Sequence, residues 1–240
     1  ADWVKAARKD YATVKAVLPE TAGDDMGIVN FAQAGIKLGD KNTLTAQKFA
    51  SRIAGILAGI PADCSGTGAK LAEVVGLPIS TKAEQNAAIE LGKLILTHDG
   101  TVCRTGRAVN SLQTVPPEGK EDWKKIKVVE AMDLITYYLR TTIEGEYRGH
   151  GNSYRNKLLL VVAVSTFLTD LERSGILLEG SSSCAIDVAA TEGYLKSVGV
   201  DTSKLTDQEI READTGSSVF LQVSAGILDA MEDFGIRIAI

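Results

Sequence analysis

The sequence is poor in the residues that most catalytic and metal sites use. Its 240 residues include only three cysteines, Cys64, Cys103 and Cys184, and two histidines, His98 and His150. The cysteines are odd in number, far apart and never spaced as Cys-x-x-Cys. This spacing indicates neither a disulfide framework nor a zinc site. We therefore expect reduced thiols, as in the cytoplasm, and no bound metal.

Long apolar runs and an excess of positive charge are also missing. The longest unbroken apolar run, residues 158–164, is far shorter than the roughly 20 residues that a membrane-spanning helix needs. The formal net charge is −5, whereas non-specific nucleic-acid binding requires a basic surface. The sequence therefore predicts neither membrane insertion nor nucleic-acid binding. An apolar content of 45% with 24% charged residues is ordinary for a folded chain.

No motif in the sequence defines a catalytic centre. Residues 66–70, Gly-Thr-Gly-Ala-Lys, lack the glycine spacing and the following hydroxyl of a P-loop. They also lack the third glycine of a dinucleotide fingerprint, and neither Gly-x-Ser-x-Gly nor His-Glu-x-x-His occurs. His98 beside Asp99, at a predicted strand end, leaves open a small cytoplasmic α/β enzyme, although a structural turn position is the simpler interpretation.

Several charged groups have two interpretations. Glu232 and Asp233 fall in a predicted turn, where solvated charge is the default. His150, in a glycine-rich loop, is likewise predicted to be a solvated surface residue. A basic stretch beyond residue 120 is compatible with an acidic partner surface, although the start of a solvated helix is the commoner arrangement; it consists of Trp123, Lys124, Lys125 and Lys127.

The first half of the chain has the periodicity of an α/β domain. The predicted elements are a helix end at residues 3–11, strands at 13–18 and 27–34, a helix ending before Pro61, a helix at 82–91 with capping-box spacing at Thr81 and Glu84, and a hairpin of strands 94–97 and 101–112 around Asp99 and Gly100. The strand that would precede the first helix in a βαβ unit is missing, and residue 1 is not Met. We therefore expect residues to have been lost on the N-terminal side.

A domain boundary is predicted where Pro116, Pro117 and Gly119 cluster, which divides residues 1–114 from 115–240. Beyond it, apolar periodicity predicts two amphipathic helices joined by residues 145–152, a helical hairpin. A short helix capped by Thr206 and Glu209 follows, and strands are predicted at residues 219–228 and 234–240.

The last predicted strand is difficult to place in a monomer. Residues 234–240 alternate bulky apolar side chains with small or charged ones, so that four large apolar groups share one face. Such a face needs to be covered. Either the chain's own sheet or a neighbouring protein can cover it, and the residues alone leave both open.

The C-terminal sequence resembles that of a known family. Residues 215–221, Thr-Gly-Ser-Ser-Val-Phe-Leu, and 227–233, Ile-Leu-Asp-Ala-Met-Glu-Asp, resemble the ending of contractile tail sheath proteins. These proteins belong to phages, defective prophages and phage-tail-like bacteriocins. The resemblance extends over nearly the whole chain, through residues 35–37, 45–61, 106–112 and 125–130.

The resemblance implies a fold and a function. It implies an incomplete subtilisin-like α/β domain over residues 1–114, without protease activity, followed by a smaller α+β C-terminal domain over 115–240 that contains the helical hairpin and the terminal strands. It also implies a structural protein, not an enzyme, that needs no cofactor, polymerises around a tail tube and contracts to drive the tube through a cell envelope. Its expected partners are neighbouring sheath subunits, the tail tube protein, and baseplate and terminator proteins. The expected location is a virion or phage-tail-like particle assembled in the bacterial cytoplasm.

The resemblance also assigns roles to residues. In the family, arms from neighbouring subunits add strands to a third subunit's sheet, where main-chain hydrogen bonds give affinity and alternate side chains set the register. The C-terminal arm here is the strand carrying Phe234, Ile236, Arg237, Ile238 and Ile240, and the preceding strand, with Val219, Leu221 and Val223, also belongs to assembly. The basic stretch Trp123, Lys124, Lys125 and Lys127 is the hypothesised contact with the tube. The N-terminal arm of the family has no counterpart in this sequence.

Overall fold

The computed structural model describes residues 1–39 and 42–238. It is a mixed helix and strand protein whose contacts define two compact units. The second unit is Tyr138–Leu228, and the first consists of the residues before and after it. These units divide after Tyr137 and after Leu228. The domain boundary predicted after residue 114 stays a prediction.

The first unit contains most of the strands, all of them short. Its elements are α1 (Asp2–Lys9), β1 (Ala16–Pro19), β2 (Ile28–Phe31), β3 (Ile36–Leu38), β4 (Thr43–Leu44), α2 (Ala46–Ala58), β5 (Val74–Gly76), α3 (Lys82–Glu90), β6 (Lys93–Leu94), β7 (Leu96–His98), β8 (Cys103–Thr105), a 3-10 helix (Glu121–Lys124) and the start of α4 (Ile126–Thr142). Strands β1, β2 and β6 form a parallel sheet in which Val17 lies beside Val29. Strands β4, β3 and β5 form an antiparallel sheet, and β7 and β8 form a hairpin.

The core of the first unit lies between helix α2 and its sheets. The apolar face of α2, predicted from its periodicity, buries Phe49 and Ile53 against strands that contribute Phe31 and Ile36. The rings of Phe31 and Phe49 lie 6.2 Å apart. Each fully buried side chain of this size stabilises the fold by about 1.5–3 kcal/mol.

Local sequence signals place several of these elements correctly. Helix α3 has the predicted capping box, because Thr81 accepts a hydrogen bond from the Glu84 backbone and the Glu84 carboxylate accepts one from the Thr81 backbone. Gly92 follows the helix with a φ of 68°, the left-handed conformation that glycine adopts readily after a helix end.

The strand predicted over residues 94–97 is in fact two short strands in different sheets. The interruption is at Ile95, whose carbonyl oxygen accepts a hydrogen bond from Gly106 N (2.8 Å). A Cβ at Gly106 would lie only 3.1 Å from that oxygen, a tight contact that would push the two backbones apart by a few tenths of an ångström, so this close approach favours glycine. The second hairpin strand, predicted over 101–112, is limited to β8.

The second unit contains the end of α4 and the whole of α5, the two helices of the predicted hairpin. After α4 come a π-helical turn (Ile143–Tyr147), α5 (Tyr154–Arg173), β9 (Ser183–Ile186), α6 (Val188–Ser197), α7 (Asp207–Glu212) and β10 (Leu221–Ser224). The end of α4 packs on α5, where the rings of Tyr138 and Phe167 stack with centroids 3.5 Å apart. Strand β10 pairs antiparallel with β9, so that Leu221 lies opposite Ile186.

The two C-terminal strands differ from their prediction. The strand predicted over 219–228 is a ladder at Leu221–Ser224 with one further bridge between Leu177 and Ile227. Residues 229–238 form no helix or strand, although the sequence predicts a strand from residue 234. A strand exists only beside a hydrogen-bonded partner, and within the described part of the chain none pairs with this segment. Ile240 lies outside the described residues.

The three thiols are free, as expected from their spacing. Cys64 is exposed, whereas Cys103 is buried in the first unit. Burial, together with the charge of Glu73, raises the pKa of Cys103 to about 11, so this thiol is a packing residue with little thiolate character. Within the described ranges, no helix has the length and apolar content needed to cross a bilayer.

Candidate assembly site

The predicted C-terminal arm is an exposed apolar segment in this chain. The side chains of Phe234, Ile236 and Ile238 are 74%, 82% and 79% exposed, and Arg237 between them is exposed as well. Large apolar side chains scattered singly on a surface are normal, but three at alternate positions form one unpartnered stripe. The described part of the chain therefore leaves Phe234, Ile236 and Ile238 of the predicted stripe uncovered.

A polar anchor immediately precedes this segment and holds it to the first unit. Its centre is Glu232, whose carboxylate accepts hydrogen bonds from Ser65 Oγ (2.7 Å) and Thr67 Oγ1 (2.7 Å). The Glu232 side chain is only 11% exposed. Thr67 Oγ1 also accepts from Ala108 N (2.9 Å), which directs its single proton towards the carboxylate. We call Asp229, Glu232 and Asp233, with their partners, the acidic anchor.

The loop that receives Glu232 is ordered by hydrogen bonds to strand β8. Thr105 Oγ1 donates to Gly66 O and accepts from Ala69 N (2.8 Å), and Gly68 N donates to Thr105 O (3.1 Å). Gly68 has a φ of 74°, which lets the chain turn back towards the strand. This ordered loop therefore holds Ser65 and Thr67 in place to bind the Glu232 carboxylate.

Two cations complete the acidic anchor. Arg107 Nη2 lies 2.5 Å and 2.6 Å from the two Asp233 oxygens, and its Nε lies 3.6 Å from Glu232 Oε2. Lys125 pairs with Asp229 and, at 3.0 Å, with Asp122. Burial acts to raise the pKa of Asp229, but the hydrogen bonds from Lys125 and from the Ala230 backbone, together with the charges of Lys125 and Lys127, outweigh it and hold that pKa below its ordinary value.

The sequence did not reveal the acidic anchor. Glu232 and Asp233 are predicted to be solvated turn charges, which is wrong for Glu232 because two hydroxyls and a guanidinium surround it. Asp233 is 82% exposed, yet it pairs with Arg107. The available signals were the hydroxyl-rich loop and the arginine in residues 106–112. Glu232 lies 165 residues beyond Thr67, and Asp233 lies 126 residues beyond Arg107, so these partners are beyond the reach of local patterns.

The basic stretch is largely engaged within its own chain. Lys124 pairs with Glu121 (2.7 Å), and Lys125 belongs to the acidic anchor. Lys127 is only 4% exposed, so little of its side chain is accessible to another protein. The carbonyl of Trp123 accepts a hydrogen bond from Asn110 Nδ2 (2.7 Å). A tube contact at these four residues stays a hypothesis.

Strand β10, the strand before the predicted C-terminal arm, alternates half-buried and exposed side chains. Leu221 and Val223 are half-buried, while Gln222 and Ser224 are exposed. Val219 lies before the strand and is 42% exposed. Within the described residues, the β9–β10 sheet has two strands only, so each strand keeps one edge without a ladder partner.

His98 and Asp99 both have structural roles in the β7–β8 turn. His98 Nδ1 accepts from Gly100 N (3.0 Å), and Asp99 Oδ1 accepts from Thr101 N (2.8 Å) and Val102 N (2.7 Å). The backbone hydrogen bond from Val102, followed by that from Thr101, lowers the pKa of Asp99. This is the turn arrangement that the simpler interpretation of the sequence predicts. Across residues 1–39 and 42–238, no cluster of three or more His, Cys, Asp or Glu side chains is arranged to hold a metal ion.

The fold is that of tail sheath proteins. It matches the crystal structure of a sheath tail protein from Desulfitobacterium hafniense with a TM-score of 0.70 at 19% identity, over 78% of this chain and 46% of that one. It matches the helical sheath of the anti-feeding prophage, solved in its contracted state, with a TM-score of 0.68 at 13% identity, over 98% of this chain and 64% of that one.

The sequence gives the same result with closer relatives. The phage tail sheath C-terminal domain family matches residues 118–240. A tail sheath protein of Clostridium phage phiCD119 is 35% identical over 238 residues, which are 98% of this chain and 66% of that protein. The chain belongs to the phage tail sheath family. It spans about two thirds of this curated relative and about half of the Desulfitobacterium protein.

Proposed function

We propose that this chain is part of a sheath subunit that polymerises around a tail tube and contracts to drive the tube through a cell envelope. Family membership supports the structural role, and the similarity to a contracted sheath supports the contractile one. The observation that carries the proposal is the uncovered apolar stripe of residues 234–238 directly after a fixed acidic anchor.

In this proposal the acidic anchor keeps the base of the arm on its own subunit while the arm pairs with a neighbour. Burying Phe234, Ile236 and Ile238 against a neighbouring sheet would contribute about 1.5–3 kcal/mol per side chain, in addition to main-chain hydrogen bonds. The edges of the β9–β10 sheet, with Leu221 and Val223, are suited to receive such strands. Val219 would contact them from just outside the ladder.

The proposed partners are other copies of the sheath subunit in a helical array, the tail tube protein, and baseplate and terminator proteins. The proposed particle is a virion or phage-tail-like particle assembled in the bacterial cytoplasm. The role is mechanical and needs neither an enzymatic centre nor a cofactor. Contraction would be a rigid-body rearrangement of subunits driven by better interfaces in the final state.

Deletion of residues 234–240 from the sheath protein tests the arm. We expect a folded subunit that no longer forms tubes, because the deletion removes only exposed side chains among the described residues. Circular dichroism would report the fold, and negative-stain electron microscopy would report assembly. Normal sheaths from the deletion variant would contradict the arm assignment.

A His98→Ala variant serves as the matched control and tests the enzyme hypothesis. His98 lies in a turn and makes one backbone hydrogen bond, so we expect sheaths of normal length and number. A turnover activity that is present in the unmodified protein and lost in this variant would favour an enzyme over a sheath.

A further inference from the structure

The second unit contains a cavity of 470 Å³ at the connection between helices α4 and α5. Its polar walls come from residues 147–152, from the first turn of α5 and from the loop that precedes β10. Its polar lining includes Arg148, His150, Asn152 and Lys157. Apolar side chains of Ile143, Leu160 and Val219 line the rest. A cavity of this size is within the range of ligand pockets.

Lys157 is an unusual residue in the wall of this cavity. It is only 4% exposed, and its ammonium donates to Ala213 O (2.9 Å). An ammonium has three donors, and a buried charge is costly unless it is paired. Burial lowers the pKa of Lys157, while the charge of nearby Asp214 acts in the opposite direction. The cavity thus presents a buried cation that one carbonyl satisfies incompletely.

Asn152 provides an independent polar group at the same cavity. Its Nδ2 donates to Gly216 O (2.8 Å), Ser218 O (2.9 Å) and Thr215 Oγ1 (3.1 Å). Two of these acceptors are carbonyls, which fixes the orientation of the amide. Its Oδ1 is buried and has no hydrogen-bond donor in the described part of the chain. A buried acceptor of this kind requires an N–H or O–H donor.

The charged side chains that line the cavity, Arg148 and Lys157, are both cations, and His150 also lines it. Among the described residues the lining contains no Asp or Glu, although the charge of Asp214 acts on Lys157 from outside the lining. The Arg148 side chain is 73% exposed, and the nearest carboxylate that it meets is Glu144 (3.3 Å). The apolar side chains provide a surface for a hydrocarbon stem, which inorganic phosphate lacks. This combination suits a carboxylate carried on an aliphatic chain.

We propose that this cavity binds an acidic side chain presented by a peptide segment of a partner protein. The carboxylate would accept hydrogen bonds from Lys157 Nζ and lie near Arg148 and His150. A peptide N–H beside it would donate to Asn152 Oδ1. A free aliphatic acid shares the carboxylate chemistry but has no such donor when ionised.

Binding of small probes to the 240-residue chain tests this proposal. The probes are a blocked glutamate, N-acetyl-glutamate methylamide, its glutamine counterpart, hexanoate and inorganic phosphate. We expect the blocked glutamate to shift the amide resonances of residues 147–157 and 213–219 in NMR spectra. The glutamine counterpart should bind at least about tenfold more weakly, because it lacks the charge-assisted hydrogen bond. Hexanoate and phosphate should also bind more weakly.

Substitutions in the cavity lining test which side chains bind the blocked glutamate. Lys157→Met keeps the length of the side chain and should abolish the shifts, whereas Lys196→Met, an exposed lysine paired with Glu192 on α6, should leave them unchanged. Arg148→Gln changes an exposed side chain, preserves the fold, and should weaken binding several-fold. Three results would overturn the proposal: equal binding of the glutamate and glutamine probes, equal binding of phosphate or hexanoate, or unchanged binding in both the Lys157 and Arg148 variants.

Discussion

At the residue scale, Glu232 is the side chain on which the acidic anchor depends. Its carboxylate is nearly buried and accepts from two hydroxyls, and Arg107 lies beside it. Hydrogen bonds to a charged group contribute about 1.5–3 kcal/mol each, more than exposed ion pairs do. Asp233, which is 82% exposed, should therefore contribute less than Glu232 to the stability of the acidic anchor.

Substitution of Glu232 should release the segment that follows it. We expect Glu232→Ala to lower the free energy of unfolding by about 1–3 kcal/mol, because Ser65 and Thr67 lose their acceptor. Glu232→Gln keeps an acceptor and should cost about 1 kcal/mol. Urea unfolding measures the stability, and hydrogen exchange of residues 229–238 measures the release. Exposed Glu179→Gln is the control, and equal effects of the two glutamine variants would contradict this role for Glu232.

The pair of Asp229 and Lys125 should make the acidic anchor depend on pH. The pKa of Asp229 is held below its ordinary 3.8, so its contribution is present above that pH and is lost as the pH falls through the lowered pKa. Burial acts to lower the pKa of Lys125, but the hydrogen bonds that its ammonium donates to Asp229 and Asp122, together with the charges of these carboxylates, raise that pKa above its ordinary 10.5. Its contribution is therefore present below 10.5 and lost as the pH rises through the raised pKa.

This dependence is measured by comparing the unmodified chain with Asp229→Asn. Since Asp229 is 48% exposed, the difference in unfolding free energy should be only about 0.5 kcal/mol, as for other exposed pairs. It should be constant from pH 5 to pH 9 and vanish in acid below the ordinary pKa of an aspartate. A difference that persisted at pH 2 would show that charge is not its origin.

At the element scale, helices α1 and α4 are joined by a network of charges. Asp133 on α4 accepts from Arg8 Nη2 (2.8 Å) and Nη1 (2.9 Å) on α1 and from Lys15 Nζ (2.6 Å) before β1. Lys15 also pairs with Glu130 (2.9 Å). The side chains of Arg8 and Asp133 are 13% and 11% exposed. Breaking a buried pair leaves the remaining charge uncompensated, which is more costly than the pair's own net contribution.

We expect Asp133→Asn to lower the free energy of unfolding by about 3 kcal/mol. This value is at the lower end of the range for breaking a buried ion pair, because Lys15 remains partly in water. The matched control is Glu130→Gln, which removes a carboxylate one turn earlier on the same helix. Glu130 is 38% exposed, and its loss should cost less than about 1 kcal/mol. Urea unfolding measures both variants. Similar losses of unfolding free energy in the two would show that Asp133 contributes no more to stability than the exposed Glu130.

Signals within a few residues predicted most of the helices, whereas the bounds of several strands and the distant pairings lay beyond the sequence. The capping box of Thr81 and Glu84 joins residues three apart, so its pattern is visible locally. The Arg8–Asp133 pair spans 125 residues and the Ser65–Glu232 hydrogen bond spans 167. The residues next to Arg8, Asp133, Ser65 and Glu232 in the sequence form no pattern that announces these contacts. Only the packing of the folded chain brings each pair together. The period-two pattern of residues 234–240, in contrast, is visible in the sequence, and three of its apolar side chains are exposed, although the strand that it predicts is not formed over residues 234–238.

At the scale of the whole molecule, the uncovered stripe should govern association. Three exposed apolar side chains without a partner promote pairing with another chain. We expect this chain to self-associate with rising concentration in sedimentation experiments. Ile236→Lys places a charge in the centre of the stripe and should shift the equilibrium towards monomer, while Met231→Lys, at an exposed residue outside the stripe, should not. Monomeric behaviour of the unmodified chain at high concentration would contradict this expectation.

The acidic anchor lies between the exposed segment and strand β10 along the chain, which has a mechanical consequence. If a neighbour pulls on residues 234–238, the tension reaches Asp233, Glu232 and Asp229 before it reaches the Leu177–Ile227 bridge or the β9–β10 ladder. Three charged contacts within five residues resist the pull nearly together. They therefore shield a two-stranded sheet, which is weak by itself, from being peeled apart under load.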